Sequence, residues 1–250
     1  MKPSGHFFLL LQLILKWIAM PHPSSYSLHD RQRILSYLLN FISDNKQQKF
    51  SEIIRFRTRH ITIVLEDIFQ PHNASAVLRS CDCFGIQDIH IIENKYKYEI
   101  NPDVALGSAK WLNLLKYNQS PNNTVDCLAK LKKQGYQIVA TSPHQDDYTP
   151  ETLPIDKKFA LLFGTELQGL TTDALNLADK FIRIPMVGFT ESLNISVSAA
   201  ILLHSLTRRL HNSEINWKLS EEEETDILIS WASAMIKKPD LIIRNFMGNP

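Results

Sequence analysis

The sequence predicts an α/β protein built on a parallel sheet flanked by helices, with helical extensions at both ends. Three observations carry this. Through the middle of the chain, short apolar runs alternate with amphipathic stretches, the pattern of strands joined by crossover helices. Some runs, such as Ala160-Leu161-Leu162-Phe163, are apolar without interruption, as strands buried on both faces are. Glycine is used only eight times in 250 residues, and Gly164, Gly169 and Gly188 fall in segments that directly follow strand-like runs. There it permits tight turns and lets backbone approach a ligand closely.

Residues 1–26 form a hydrophobic extension. Phe7–Met20 is too short for an ordinary bilayer span, Lys16 interrupts it, and Pro21 and Pro23 follow. No small-x-small cleavage site comes after it, so the expectation is a cytosolic appendage or an upstream start with Met20 as the true first residue. From Ser27 to about Phe56 the pattern is helical, with Ile34, Leu35, Leu38, Leu39 and Ile42 on one face. This basic extension, residues 27–59, carries Arg31, Arg33, Lys46, Lys49, Arg55, Arg57 and Arg59 against Asp30, Asp44 and Glu52. Such a run is either a solvated face or a phosphate-contacting patch.

Strands are expected at Ile61–Leu65, Ile89–Ile92, Leu112–Tyr117, Gln137–Thr141, Phe159–Phe163 and Phe181–Ile184. Helices are expected at Ala74–Phe84, Thr124–Gln134, Thr171–Ala178 and Asn194–Leu210. These elements make up a domain over residues 60–212. Within it Asn73 is a candidate N-cap. The C-terminal extension, residues 213–250, reads as one more helix. Ser220 and Glu223 form a capping box, and Pro239 is the expected stop.

Bulk composition excludes several classes. A net charge of +1 rules out a polycation, so any nucleic-acid contact must come from local patches. Three cysteines, Cys81, Cys83 and Cys127, do not make a disulfide framework, and packing is the simpler reading of them. Cys81-x-Cys83 has no second pair, so no metal is expected. No G-x-G-x-x-G follows the first strand, and there is no P-loop, H-E-x-x-H or G-x-S-x-G.

Three segments, each after a strand, carry more. The first is Asn73-Ala74-Ser75-Ala76-Val77-Leu78-Arg79, in which an arginine sits among apolar neighbours. The second is FGTELQGL at 163–170, and the third is IPMVGFTESLNISVSAA at 184–200. Glycine loops at strand ends suit the walls of one small-molecule pocket. Together the segments resemble the SpoU (TrmH) branch of the SPOUT RNA 2′-O-ribose methyltransferases, over roughly His60 to His211.

That resemblance implies a sheet whose C-terminal part is tucked through a loop as a deep trefoil knot, against the usual rule. It also implies a cytoplasmic homodimer that uses S-adenosylmethionine and needs neither metal nor membrane. Backbone at Thr141, Gly164, Ile184 and Leu193 would contact the cofactor. Arg79 matches the family's catalytic arginine, and Asn73, Glu166, Ser192 and Asn194 its other active-site positions. Cys83 stands where a small residue such as alanine is common.

Methyl transfer to a ribose hydroxyl needs alignment and removal of a proton. Arginine is a poor base, with a guanidinium pKa above about 12. Two routes stay open: Arg79 accepts the proton, or it stabilises the developing alkoxide while phosphate or water takes the proton. Physical chemistry favours the second. The short helical extensions and the phrase QPHNASAVLRSCD look most like enzymes acting on the D-loop guanosine of tRNA. Arg31, Arg33, Arg55, Arg57, Arg59, Arg208 and Arg209 are then candidates for phosphate contacts. Ribosomal RNA as substrate, a non-catalytic RNA-binding protein on the same fold and a small-molecule methyltransferase are the competing readings.

Overall fold

The computed structural model describes residues 26–248 apart from 100, 106, 144, 146, 166 and 167. The hydrophobic N-terminal stretch and Glu166 therefore lie outside the described residues. The chain divides into two compact units, one of residues 51–219 and one that gathers the residues before 51 and after 219. Residues 51–59 and 213–219, expected in the extensions, belong with the sheet.

In the larger unit, six parallel strands among the described residues form one sheet. They are β1 (Ile61–Glu66), β2 (Asp88–Ile92), β3 (Asn113–Tyr117), β4 (Gln137–Thr141), β5 (Phe159–Phe163) and β6 (Lys180–Ile182), in the order β3-β2-β1-β5-β4-β6. All six residues of β1 and all five of β5 are buried, as the uninterrupted apolar runs require. β4 and β5 have the expected bounds. β6 stops two residues early because β4 ends at Thr141, which pairs with Ile182, and Ile184 then has no neighbour on that side.

Side chains alternate across this sheet. Ile61, Ile63, Leu65, Leu161 and Phe163 share a core with α3 (Pro71–Cys83, following helices described below) and α7 (Ile195–His211). Val64, Leu162 and Ile138 face Cys127, Leu128 and Leu131 of α5 (Asn123–Lys133). Two shorter helices, α4 (Pro102–Ala105) and α6 (Thr172–Leu177), complete the connections. Asn73 is not the cap of α3. The helix starts two residues earlier, at Pro71, whose fixed φ and missing N–H suit a first helical position.

The smaller unit contains α1 (Leu28–Leu39), α8 (Glu221–Met235) and α9 (Pro239–Gly248), together with the first part of α2 (Asp44–Ile54). The single helical pattern from Ser27 to Phe56 is in fact two helices. The break is held by Gln47, whose side-chain amide donates to the carbonyls of Leu39 (3.0 Å) and Ile42 (2.8 Å) at the end of α1. Arg31 is buried and pairs with Asp226 at 2.7 Å, and Phe50 packs against Trp231. The Ser220–Glu223 capping box is present. Pro239, expected as a stop, instead opens α9, since α8 has already ended at Met235 and Lys238 turns the chain with φ 54°.

Cys81 and Cys127 are buried, and burial pushes both thiols up, Cys127 to about 12. Cys83 is exposed on α3, so the packing reading fails for it. No helix among the described residues is long and apolar enough to cross a membrane.

His90 on β2 is buried, with Nδ1 3.0 Å from the Tyr117 hydroxyl. Desolvation, with the nearby Lys130 charge, lowers its pKa from 6.5 to about 4. The unfolded chain thus binds this proton first as pH falls, so folding stability present above pH 6.5 should be lost progressively toward pH 4. In urea titrations across that range, His90→Gln should show a shallower loss than the wild type. Equal slopes would mean other groups set the acid limit.

Candidate active site

In an open parallel sheet, ligands collect outside the carboxyl ends of the strands, near the point where strand order reverses. Here that point lies between β1 and β5. A pocket opens over the ends of β4, β5 and β6, with Phe163, Ile182 and Leu202 contributing apolar surface. Thr141, Ser142, Ser192 and Ser198 add hydroxyls, and Gly164, Ile184 and Leu193 complete the wall. Apolar surface with a few placed polar groups and strand-end backbone suits a nucleoside-sized ligand.

The loop after β5 is shaped by its glycines. Thr165 N–H donates to Gly169 O (3.0 Å) and Gly169 N–H to Thr165 O (2.9 Å), so the loop closes on itself. Gly169 has φ 67°, and a Cβ on Gly164 would fall 2.3 Å from the Gly169 backbone. Only glycine at 164 lets the loop fold back while leaving open backbone facing the pocket.

The loop is also tied from outside. Glu66, 1% exposed at the end of β1, accepts hydrogen bonds from Thr171 N–H (2.9 Å), Thr171 Oγ1 (2.8 Å) and Thr124 Oγ1 (2.6 Å). Asp67 follows with φ 52° and is also buried. Its Oδ1 accepts from the backbone N–H groups of Asn94 (2.7 Å), Lys95 (2.8 Å) and Tyr96 (3.4 Å).

A polar chain runs from here to α7. Asn73 donates through Nδ2 to Gln70 Oε1 (2.9 Å) and accepts at Oδ1 from Asn194 Nδ2 (3.1 Å). Asn194 caps α7 by accepting from Ser196 N–H (2.9 Å) and Ser196 Oγ (2.6 Å). A second pocket lies on the Asn73 side of this chain. It shares Ile195 with the first and is lined by Phe69, Gln70, Asn73, Tyr96, Thr165 and Gln168.

The four expected cofactor contacts, Thr141, Gly164, Ile184 and Leu193, thus share one pocket with Ser192. Asn73 and Asn194 meet directly. Arg79 is exposed on α3 and lines neither pocket of its own chain.

Charge alone was a poor guide to phosphate readers. Arg57 is 2% exposed, bonds to Asp82 and donates to Ile86 O, so it is a structural ion. Breaking such a buried pair from one side costs about 3–5 kcal/mol of stability. Arg31 is likewise occupied by Asp226 and Glu222, Arg59 by Asp88, and Arg209 by the carbonyls of Pro150 and Leu153. Arg55 and Arg208 are exposed, and Arg33, also exposed, pairs with Asp30 at 3.3 Å and lies over the Phe246 ring. Among the described residues no group of His, Cys, Asp or Glu side chains is arranged to hold a metal. Glu66, Asp67, Phe69, Tyr96 and Gln168 were not singled out from sequence. The Glu66-Asp67 pair at a strand end was the available signal.

Fold and pocket define an α/β protein with a small-molecule pocket at the carboxyl ends of its strands. Residues 60–204 match the SpoU rRNA Methylase family, and the chain belongs to that family. It is 42% identical over 208 residues to a tRNA (guanosine(18)-2′-O)-methyltransferase of Borreliella burgdorferi, covering 83% of this chain and 94% of that one. It is 32% identical over 167 residues to the enzyme of the same name from Thermus thermophilus, covering 67% and 84%. The crystal structure of the A. aeolicus TrmH/SpoU tRNA modifying enzyme superposes with a TM-score of 0.68 at 32% identity, covering 78% of this chain and 98% of that one.

Gly164→Ala should push the Gly169–Leu170 backbone aside and reshape the pocket wall. Calorimetric titration with S-adenosylmethionine should show affinity reduced at least about tenfold, since a tightly packed wall relaxes only partly. Wild-type affinity in a folded variant would remove Gly164 from the cofactor site.

Proposed function

We propose that this chain is an S-adenosylmethionine-dependent tRNA 2′-O-ribose methyltransferase acting at the D-loop guanosine, position 18, in the cytoplasm. The observation that carries it is the Asn73–Asn194 hydrogen bond beside two pockets that share Ile195, the second of them lined by Asn73. When bound, S-adenosylmethionine supplies a methyl group carried on a positive sulfur. Backbone at Gly164 and Ile184, just beyond β5 and β6, and at Leu193, before α7, would hold it, with Thr141 and Ser192 in the same pocket. Asn73 and Asn194, on the rigid starts of α3 and α7, orient the ribose so that its 2′-oxygen faces the first pocket. Glu166 belongs to this group by its position in the family pattern.

Arg79 is a guanidinium on an exposed helix face. A loop and helix nearby in the same unit expose Met186, Val187, Phe189, Leu193, Val197 and Ile201. Apolar surface of that extent marks an interface. The reading it supports is a homodimer in which each protomer lends Arg79 to the other's site, where the cation stabilises the developing alkoxide and a phosphate or water takes the proton. Arg33, Arg55 and Arg208 hold tRNA phosphates. The C-terminal segment is taken to thread a loop as a deep trefoil knot, as in the family.

The test is transfer of labelled methyl to unmodified tRNA, with the product nucleotide mapped. Methylation at guanosine 18 is expected; transfer only to ribosomal RNA would replace the substrate, and no transfer to either would leave a binding protein. Arg79→Ala should lower the rate by at least about a hundredfold, typical for one donor aimed at developing charge, with cofactor affinity kept. Co-expressed Arg79→Ala and Asn194→Ala chains should recover activity that each lacks alone. No recovery would place Arg79 in its own protomer's site.

A further inference from the structure

We infer that the second pocket is the seat of the acceptor nucleotide's base, which stacks on a platform made by Phe69 and Tyr96 and is read at its edge by Gln70 and Gln168. This rests on the methyl-transfer reading and adds to it where the base goes. Phe69 is 66% exposed and Tyr96 40% exposed. Their ring centroids lie 5.0 Å apart with planes at 61°, edge against face. Each ring keeps open π surface that water solvates poorly and a nucleobase covers well.

The platform is held in advance. Tyr96 belongs to the turn that Asp67 gathers through backbone N–H groups, and Asp67 keeps a left-handed φ of 52° to do so. A buried side chain in that conformation persists where its surroundings over-determine it, and such positions cluster at ligand sites. Phe69 stands two residues beyond Asp67 in the same loop. Gln70, beside it, accepts the Asn73 amide and so joins the base pocket to the ribose-orienting pair.

Position selects the occupant. The pocket adjoins the cofactor pocket across Ile195, with Asn73 and Asn194 between them. A ribose held there carries its base to one side, and this pocket is the cavity on that side. A nucleotide within a folded loop must leave its stack before its 2′-hydroxyl is reached, and enzymes commonly recover the lost stacking on aromatic side chains. Gln168 brings one acceptor and two donors to a base edge, and Gln70, whose Oε1 already accepts from Asn73, brings its two amide donors.

The experiment is a double-mutant cycle between protein and RNA. Wild type, Phe69→Ala, Tyr96→Ala and the conservative Tyr96→Phe are assayed on two tRNA transcripts, one normal and one abasic at the mapped acceptor nucleotide, which keeps its 2′-hydroxyl. Both alanine variants should lose about tenfold in kcat/KM on normal tRNA, the size of one lost stack. Tyr96→Phe should retain wild-type rates, and cofactor affinity should hold in all. On the abasic transcript wild type should fall at least that far, and there the alanine substitutions should cost little or nothing, so that all variants converge on one rate. Unchanged rates in the alanine variants, or a full additional loss on the abasic transcript, would overturn the base pocket. So would dissociation of a wild-type dimer by Phe69→Ala, which would assign the rings to a subunit interface. A wild type inactive on every tRNA would instead bring down the methyl-transfer reading, and the pocket with it.

Discussion

One buried carboxylate organises the catalytic end of the sheet. Glu66 has water on almost no side, and an unpaired charge there would cost several kcal/mol. It is retained because two threonines and a backbone amide surround it. Those partners come from far apart in sequence: Thr124 opens α5 on one face of the sheet, and Thr171 caps α6 directly after the glycine loop. The end of β1 is thereby fixed to the loop that follows β5, its neighbour in the sheet. Charge-assisted hydrogen bonds are short and directional, so the tie sets geometry as well as distance.

Once that tie is made, the pocket walls have little freedom. The glycine loop is pinned at Thr171 and closed by the Thr165–Gly169 pair, and Gly164 is pressed against its own loop. Across from it, Asn194 caps α7 and reaches Asn73 on α3. The wall of the first pocket and the paired amides of Asn73 and Asn194 therefore rest on strand ends, a pinned loop and helix starts, as a site that positions reactants requires.

Sequence made the sheet legible because its central strands, β1 and β5, are buried on both faces, as most of β4 is, and therefore read as plain apolar runs. β4 and β5 have their expected bounds for that reason. The Ser220–Glu223 capping box was legible because its two hydrogen bonds are local. What failed was whatever depended on a distant partner. Proline at 239 reads equally as a stop or a start until the left-handed turn at Lys238 decides it. Arg57 and Arg31 read as phosphate readers until Asp82 and Asp226 are seen to hold them. The three motif segments come together in the fold, with Asn73 and Asn194 in contact and Thr141, Gly164, Ile184 and Leu193 around one pocket. They gave no sign that Arg79 would face away from it.

The eight residues from Glu66 to Asn73 explain why structure and chemistry are hard to separate here. Glu66 fixes the sheet end to the glycine loop, Asp67 gathers the turn bearing Tyr96, Phe69 and Gln70 border the second pocket, and Asn73 meets Asn194. Within this stretch the chain changes from fully extended to helical, with one left-handed residue between. A left-handed aspartate is tolerable here because its side chain is short and is held by three backbone N–H groups of the 94–96 turn, whereas a bulkier or β-branched residue would be strained. Moving any of these residues by one position would turn its side chain to another face and separate pockets that share Ile195. The segment therefore acts as a spacer of fixed length beside the two pockets. Its rigidity derives from burying two carboxylates that accept hydrogen bonds from the 94–96 backbone and from Thr124 and Thr171.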